Sequence, residues 1–222
     1  MPEKVVLCWS GGKDSALALY QIKHDPGYQL VSLLSTVNQD YDRLSLHGVR
    51  RVLLERQVRA LGYDLHQVFL SQDSSNEEYE ERMRQALVGF KEAGVTGVVF
   101  GDIFLEDIRK YRENHLAPLG LKAIFPLWRK NTLELAGRFL HLGFKGVITC
   151  VDTQALDAGF AGRTYDEDFL ADLPAKVDPC GENGEFHSFV YDGPIFHRPV
   201  SFSLGEKVVR HEHFCFCDLV PG

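Results

Sequence analysis

The sequence predicts an α/β protein with a doubly wound, mostly parallel sheet, followed by a smaller and irregular C-terminal part that contains strands. Short apolar runs alternate with longer segments of helical period over the first two thirds of the chain, as in a parallel sheet with helices on both faces. Glycines and prolines then become frequent, and the late apolar segments alternate with polar residues as half-buried strands do. We therefore predict two domains, 1–155 and 156–222.

Each predicted strand of the main sheet is a short apolar run bounded by polar or turn-forming residues. The runs assigned to this sheet are 5–9, 30–36, 65–70, 97–101, 122–125 and 146–151. Two later segments are predicted as strands of the C-terminal part, 186–192 and 208–217.

The segments between these runs have helical spacing of their apolar residues. The predicted helices are 16–24, 47–62, 76–94, 104–115 and 131–142. Gly62 and Gly94 stand where a helix stop is expected, because glycine readily takes the left-handed conformation that ends a helix.

Composition limits the class of protein. The chain has 222 residues and a formal net charge of −7, and its sequence shows no basic stripe, so a nucleic-acid partner is not expected. No apolar run approaches the length that spans a bilayer, so we expect no membrane association. The five cysteines form no disulfide framework, which favours reduced thiols and a cytoplasmic location.

The segment Ser10–Ser15, SGGKDS, lies between the first strand and the first helix. A helix N-terminus offers unpaired backbone N–H groups, and glycines let an anion approach the backbone, so this turn is suited to phosphate. The Walker pattern fails, because Lys13 is followed by Asp14 and Leu7 stands where its first glycine would be. The dinucleotide pattern also fails, because Gly11 and Gly12 are adjacent.

The same six residues resemble the PP-loop of the ATP pyrophosphatase families, whose pattern is SGGxDS. The resemblance implies that the protein binds ATP and splits it between the α and β phosphates. In that interpretation the backbone around Gly11 and Gly12 holds the β and γ phosphates, Ser10 and Ser15 donate to phosphate oxygens, and Lys13 supplies a positive charge. Asp14 would bind a Mg²⁺ ion that bridges to the phosphates, since hard cations prefer carboxylate oxygens.

Segments spread along the chain resemble the diphthine–ammonia ligase family. They are GDI at 101–103, PLW at 126–128, LH at 46–47 and CGENGEFHSFVYDGPIF at 180–196. The resemblance implies an adenine nucleotide α-hydrolase-like fold of the HUP/PP-loop type. It also implies a ligase that uses ATP and ammonia to amidate an acceptor carboxylate, on a protein or a small molecule, with release of AMP and pyrophosphate.

Other candidate site residues follow from their positions. Gly101 and Asp102 end a predicted strand at the sheet edge where ligands bind, so we expect them near the nucleotide, metal or acceptor. Thr36 and His47 are candidates for the adenosine pocket.

The glycine-rich segment after 180 supplies the candidates for catalysis. Glu182 and Glu185 are candidates for binding ammonium or for acid–base work, together with Lys13 and Asp102. A histidine, His187, stands where the family pattern has an acid, and it is a candidate general base near the acceptor.

Two alternatives remain open at this point. One is a PP-loop tRNA-modifying thiolase or amidase, which would need catalytic cysteines, and the other is a non-catalytic ATP- or AMP-binding sensor module. A metal site formed by His211, His213, Cys215 and Cys217 is disfavoured, because four alternating residues of one strand span too far to converge. A homodimer is also left open.

Overall fold

The computed structural model describes residues 1–45, 47–210 and 212–222, which form two sheets and the helices that cover them. The strands are β1 Glu3–Cys8, β2 Tyr28–Asn38, β3 Arg43–Leu44, β4 Leu65–Leu70, β5 Gly97–Val99, β6 Lys122–Ile124, β7 Lys145–Asp152, β8 Thr164–Tyr165, β9 Phe186–Asp192, β10 Phe202–Arg210 and β11 Phe214–Pro221. The α-helices are α1 Lys13–His24, α2 Arg51–Leu61, α3 Asn76–Glu92, α4 Glu106–Leu116, α5 Thr132–His141 and α6 Glu167–Asp172.

The first sheet has its parallel strands in the order β4-β2-β1-β5-β6, with β3 antiparallel to the end of β2. This is the doubly wound order, in which the first strand lies at the centre. In the part of the chain that the structure describes, no helix is both long and apolar enough to cross a membrane. The predicted α/β class with a mostly parallel sheet is confirmed.

Helices cover both faces of this sheet. Val5 and Leu7 of β1 belong to the larger core cluster, which includes residues of α1 and α2. Val6 points to the opposite face and joins a second cluster with residues of α3 and α4. This alternation follows from the two-residue period of a strand, and it fixes β1 and the turn after it between two packed layers.

Strand β7 does not belong to the parallel sheet, so the assignment of 146–151 to that sheet is wrong. It lies at the centre of a second, antiparallel sheet, where it pairs with β8, β9 and β11. A strand with neighbours on both sides and both faces buried is a continuous apolar run in either kind of sheet, so its sequence could not decide between them. Since the first sheet ends at β6 and the second begins with β7, we propose a domain division before β7 rather than near 155.

The predicted strand 208–217 is also wrong, because it contains the turn of a hairpin. Strands β10 and β11 pair antiparallel on either side of that turn. The turn has Glu212 at a φ of 69° rather than a glycine, so the usual sequence signal of a hairpin is missing. Leu46 and His211 lie outside the described residues.

Candidate nucleotide-binding site

A cleft of about 410 Å³ lies at the carboxyl edge of the parallel sheet, between the N-terminus of α1 and the loop that leads into β9. Eleven of the predicted site residues line it, and they come from both parts of the chain. They are Ser10, Gly12, Lys13, Asp14, Ser15, Thr36, His47, Gly101, Asp102, Glu182 and His187.

The glycine turn places the start of α1 at the floor of this cleft. Gly11 has a φ of 74°, and a side chain there would meet the Gln57 amide oxygen at 2.9 Å. Gly12 is the N-cap of α1, with no side-chain cap. The first hydrogen bond across this end of the helix runs from the N–H of Ala16 to the carbonyl of Gly12 (3.0 Å). The N–H groups of the first turn therefore have no partner within the helix, as an anion site requires.

Hydroxyl groups surround the turn. The Ser10 hydroxyl donates to Ser15 Oγ (3.2 Å) and accepts from the N–H of Gly12 (3.2 Å), while Ser15 Oγ donates to the Gly12 carbonyl (2.8 Å). The N–H of Lys13 donates to Ser188 Oγ, 3.1 Å away in β9. Two of the turn's amides are thus held by hydroxyl oxygens, which a phosphate oxygen can replace.

Lys13 and Asp14 form an ion pair at the base of the cleft. Lys13 Nζ lies 2.9 Å and 2.7 Å from the two carboxylate oxygens of Asp14, and it also donates to the carbonyl of Cys180. Burial opposes the charge on Lys13, but the attraction of Asp14 and its other acidic neighbours raises its pKa above the ordinary value. Burial also raises the pKa of Asp14, against the effect of Lys13.

The donor set at Asp14 suits magnesium. Its carboxylate lines the cleft and its side chain remains 26 % exposed, although Lys13 now occupies both oxygens. Over the described residues no group of three or more acidic, histidine or cysteine side chains is placed to bind a metal. Mg²⁺ is commonly held by one or two carboxylates together with substrate phosphates, so a single carboxylate beside a phosphate site fits it.

Glu182 connects the C-terminal loop to the parallel sheet. Its Oε1 accepts from the N–H of Ile103 (2.6 Å) and from the N–H of Phe104 (3.3 Å), both in the segment that follows β5. Burial raises the pKa of Glu182 to about 7. A carboxyl group with this pKa, on the wall of a cleft, can gain or lose a proton near neutral pH.

Glu185 does not line the cleft, and its carboxylate faces its own loop. Its Oε1 accepts from the N–H of Asp178 (3.0 Å) and from the side-chain amide of Asn183 (3.0 Å), and its Oε2 accepts from the N–H of Asn183 (3.0 Å). The side chain is buried. This arrangement supports a role in shaping the loop that carries Glu182, rather than the catalytic role that the sequence suggested.

Two histidines from different parts of the chain meet in the lining of the cleft. The rings of His47 and His187 lie 4.6 Å apart between centroids, and His47 Nδ1 is 3.4 Å from the carbonyl of Ser188. Burial lowers the pKa of His47 to about 3 and that of His187 to about 4, helped by the positive charge of Lys13. Both rings are therefore neutral at physiological pH.

Asp102 forms an ion pair with Arg112 on the wall beside α4. The guanidinium Nε lies 2.7 Å from Asp102 Oδ2, and its plane packs over the ring of Phe100, 4.3 Å from the centroid. The preceding residue, Gly101, has no room for a side chain, because a Cβ would meet the backbone of Asp14 at 2.9 Å. Gly101 thus lets the parallel sheet approach the first turn of α1.

The sequence reasoning missed several residues that hold the site together. Gln57 is fully buried; its amide nitrogen donates to the carbonyls of Gly11 (2.9 Å) and Val190 (2.6 Å), and its oxygen accepts from the indole of Trp9 (2.8 Å). A glutamine on the apolar face of a helix was the available signal. Ser188 had no comparable signal, because its role depends on β9 lying against α1.

These features define an α/β protein of the PP-loop type, with a glycine turn suited to an anion at the start of its first helix. Family models agree with the two parts of the fold: the diphthamide synthase N-terminal domain matches residues 3–123, and the diphthamide synthase C-terminal domain matches residues 131–219. The chain therefore belongs to the diphthamide synthase family, and the resemblance found in the sequence is confirmed.

Curated relatives agree with this assignment. The chain is 28% identical to the diphthine–ammonia ligase of Homo sapiens, over 93% of this chain and 85% of the relative. It is 26% identical to that of Danio rerio, over 94% and 90% respectively. The match to the Schizosaccharomyces pombe protein of the same name is 26% identical and covers 97% of this chain but 38% of that longer protein. The predicted enzyme class, a ligase that forms carbon–nitrogen bonds, is confirmed.

Proposed function

We propose that the protein is an ATP-dependent ligase that adenylates an acceptor carboxylate, releases pyrophosphate and then amidates the acceptor with ammonia. The observation that carries the proposal is that the SGGKDS turn and the segment Glu182–Ser188 face each other across one cleft. The names of the relatives, diphthine–ammonia ligases, supply the reaction class and make diphthine the first acceptor to test.

The first turn of α1 would hold the β and γ phosphates. Its N–H groups, which have no partner within the helix, and the positive end of the helix dipole favour an anion there. Lys13 would break its ion pair with Asp14 and bind the phosphates, because its flexible side chain can reach either partner. Asp14 would then be free to hold Mg²⁺, which would neutralise the charge that builds on the leaving pyrophosphate.

The opposite wall would handle the acceptor and the amine. Glu182, with a pKa of about 7, suits the proton acceptor that ammonium needs before its nitrogen can attack. His187 is neutral and lines the cleft, so it suits a hydrogen bond to the acceptor rather than a charge contact. Ammonia would then displace AMP from the acceptor carbonyl.

The test is a pyrophosphate-release assay with ATP, Mg²⁺, ammonium and a protein that carries diphthine. We expect AMP and pyrophosphate in equal amounts, and nitrogen from isotope-labelled ammonium in the acceptor by mass spectrometry. Asp14→Asn should reduce turnover by at least about a hundredfold, because the leaving group loses its metal contact.

Asp107→Asn is the matched control. Asp107 is also an aspartate in the first turn of a helix, α4, but it is exposed and does not line the cleft. Its loss should leave turnover within about twofold, and circular dichroism should show both variants folded. Near-normal turnover of Asp14→Asn would contradict the proposed role of this carboxylate.

The thiolase alternative has little support in the cleft. Among the described residues, the cysteines that line it are Cys8 and Cys180, and burial raises the pKa of each thiol to about 12. Such thiols are protonated and poor nucleophiles. The same assay distinguishes a ligase from a sensor, because a sensor would bind ATP but release no pyrophosphate with any acceptor.

A further inference from the structure

A second and larger cavity, of about 1010 Å³, opens beside the nucleotide cleft. Leu44, Ser45 and His187 line both cavities, so the two are adjacent at the histidine. One side of the larger cavity is formed by β3 and the end of β2, and the other side is formed by the hairpin β10–β11. We call it the hairpin groove, and its lining includes Tyr41, Arg43, Arg50, Val208, Arg210 and Phe216.

One face of the hairpin forms a wall of this groove. Val208 pairs with Phe216 and Arg210 with Phe214 across the two strands, and all four line the cavity. Cys215, between the two phenylalanines on β11, is buried in the core instead. The groove face therefore carries aromatic and aliphatic side chains that the core does not cover, as a binding surface does.

The groove is locally positive, although the chain as a whole is acidic, at −7. Arg43 and Arg50 share the single carboxylate of Asp218, at 2.8 Å and 2.6 Å. The guanidinium of Arg210 lies over the ring of Tyr41, 5.7 Å from its centroid. Among the described residues, the charged side chains that line the groove are three arginines and two carboxylates, Arg43, Arg50, Arg210, Glu206 and Asp218. An anion is thus favoured here.

We propose that the hairpin groove binds the acceptor, and that the acceptor is a carboxylate carried on an apolar or aromatic body. The body would lie on Val208 and Phe216, and the carboxylate would pass His187 to reach the nucleotide cleft. This inference rests on the proposed function, which requires an acceptor carboxylate next to the phosphates. The same chemistry could come from a free acid or from a side chain of a protein.

Binding of simple probes tests the groove without turnover. We choose 4-phenylbutyrate, its neutral amide, and a blocked peptide of sequence Ala-Phe-Glu-Ala, each titrated into the full chain by calorimetry. We expect at least one of the two carboxylates to saturate one site and the free acid to bind about tenfold more tightly than its amide. Tighter binding of the peptide would assign the acceptor to a protein side chain, and tighter binding of the free acid to a small molecule.

Three substitutions locate the site. Val208→Trp narrows the groove at the proposed contact with the apolar body, and Arg210→Glu replaces a positive charge with a negative one. Each should therefore weaken carboxylate binding by about tenfold or more. Val209→Trp is the control, because Val209 is exposed in the same strand but does not line the groove. ATP affinity, measured separately, should stay unchanged in all three, which separates failure of the groove from failure of the nucleotide site. Equal losses from Val208→Trp and Val209→Trp, or no carboxylate binding at all, would overturn the proposal.

Discussion

Single residues set the charge at the site. Lys13 and Asp14 neutralise each other, while His47 and His187 remain uncharged because they are desolvated. The proposed phosphate site thus presents backbone N–H groups beside a lysine whose partner can be exchanged. The sequence predicted the identity of these residues, since SGGKDS is a local pattern. It could not predict the pairing of His47 with His187, which depends on β9 lying next to the turn.

The histidine pair makes stability depend on pH. The pKa of His47 is about 3 in the folded chain and 6.5 ordinarily, so the unfolded chain binds more protons between these values. Its contribution is therefore complete above about pH 6.5 and is lost as the pH falls toward 3. When the pH is lowered from about 7 to about 5, the free energy of unfolding should fall by about 2 kcal/mol less in His47→Gln than in the wild type. Urea denaturation at the two pH values measures this difference.

His66→Gln is the control for this prediction, because His66 is exposed on β4. Its pH profile should match that of the wild type. A profile of His47→Gln that also matches the wild type would show that this ring is not held neutral.

Gly101 lets the parallel sheet lie close against the first turn of α1. In Gly101→Ala the new methyl group would meet the backbone of Asp14 and Ser15, so the first turn of α1 must shift and ATP affinity should fall at least about tenfold. Gly137→Ala is the control, since nothing lies within 4 Å of a Cβ there. That variant should keep its ATP affinity and gain about 0.5–1 kcal/mol in unfolding free energy. Unchanged ATP affinity of Gly101→Ala would contradict the close contact.

At the scale of elements, α2 and β9 hold the phosphate turn in place. Gln57 of α2 bonds to both the turn and β9, and Val190 N donates to the Gly11 carbonyl at 2.9 Å. Helix and strand periodicity predicted α2 and β9, because both have regular apolar patterns. It failed for the hairpin β10–β11, because the residue with positive φ in its turn is Glu212 (φ of 69°) and not the glycine that usually signals a hairpin. It also failed for β7, which is buried on both faces.

Removal of the Gln57 amide tests this support. Gln57→Leu removes the partner of the buried Trp9 indole and the amide's hydrogen bonds to the carbonyls of Gly11 and Val190. We therefore expect a loss of about 3 kcal/mol in unfolding free energy and weaker ATP binding. Gln85→Leu on α3, where the glutamine is exposed and bonded to Glu81, should change stability by less than about 0.5 kcal/mol. A similar small effect for Gln57→Leu would show that the turn does not depend on it.

At the scale of the whole molecule, the two sheets share the larger of the two core clusters. The larger cluster joins residues of the parallel sheet, such as Val5, to residues of the antiparallel sheet, such as Ile148 and Cys215. The cleft forms where the two parts meet, which explains why neither part carries the complete site. No local sequence pattern predicts this meeting, because it depends on contacts between distant segments, such as that of Lys13 with Ser188.

A shared core predicts cooperative unfolding. The far-ultraviolet circular dichroism and the tryptophan fluorescence should give the same midpoint in urea, with Trp9 packed in the larger cluster. Two separate midpoints would show that the two sheets unfold independently and that their interface is weak.

The central claim is that the first turn of α1 binds the phosphates of ATP. Backbone amide NMR of the labelled chain tests it most directly, by titration with MgATP, inorganic pyrophosphate and adenosine. We predict that MgATP and pyrophosphate shift the amide signals of Gly12, Asp14 and Ser15, and that adenosine leaves these signals in place. Unchanged signals at these residues when MgATP is saturating would contradict the account.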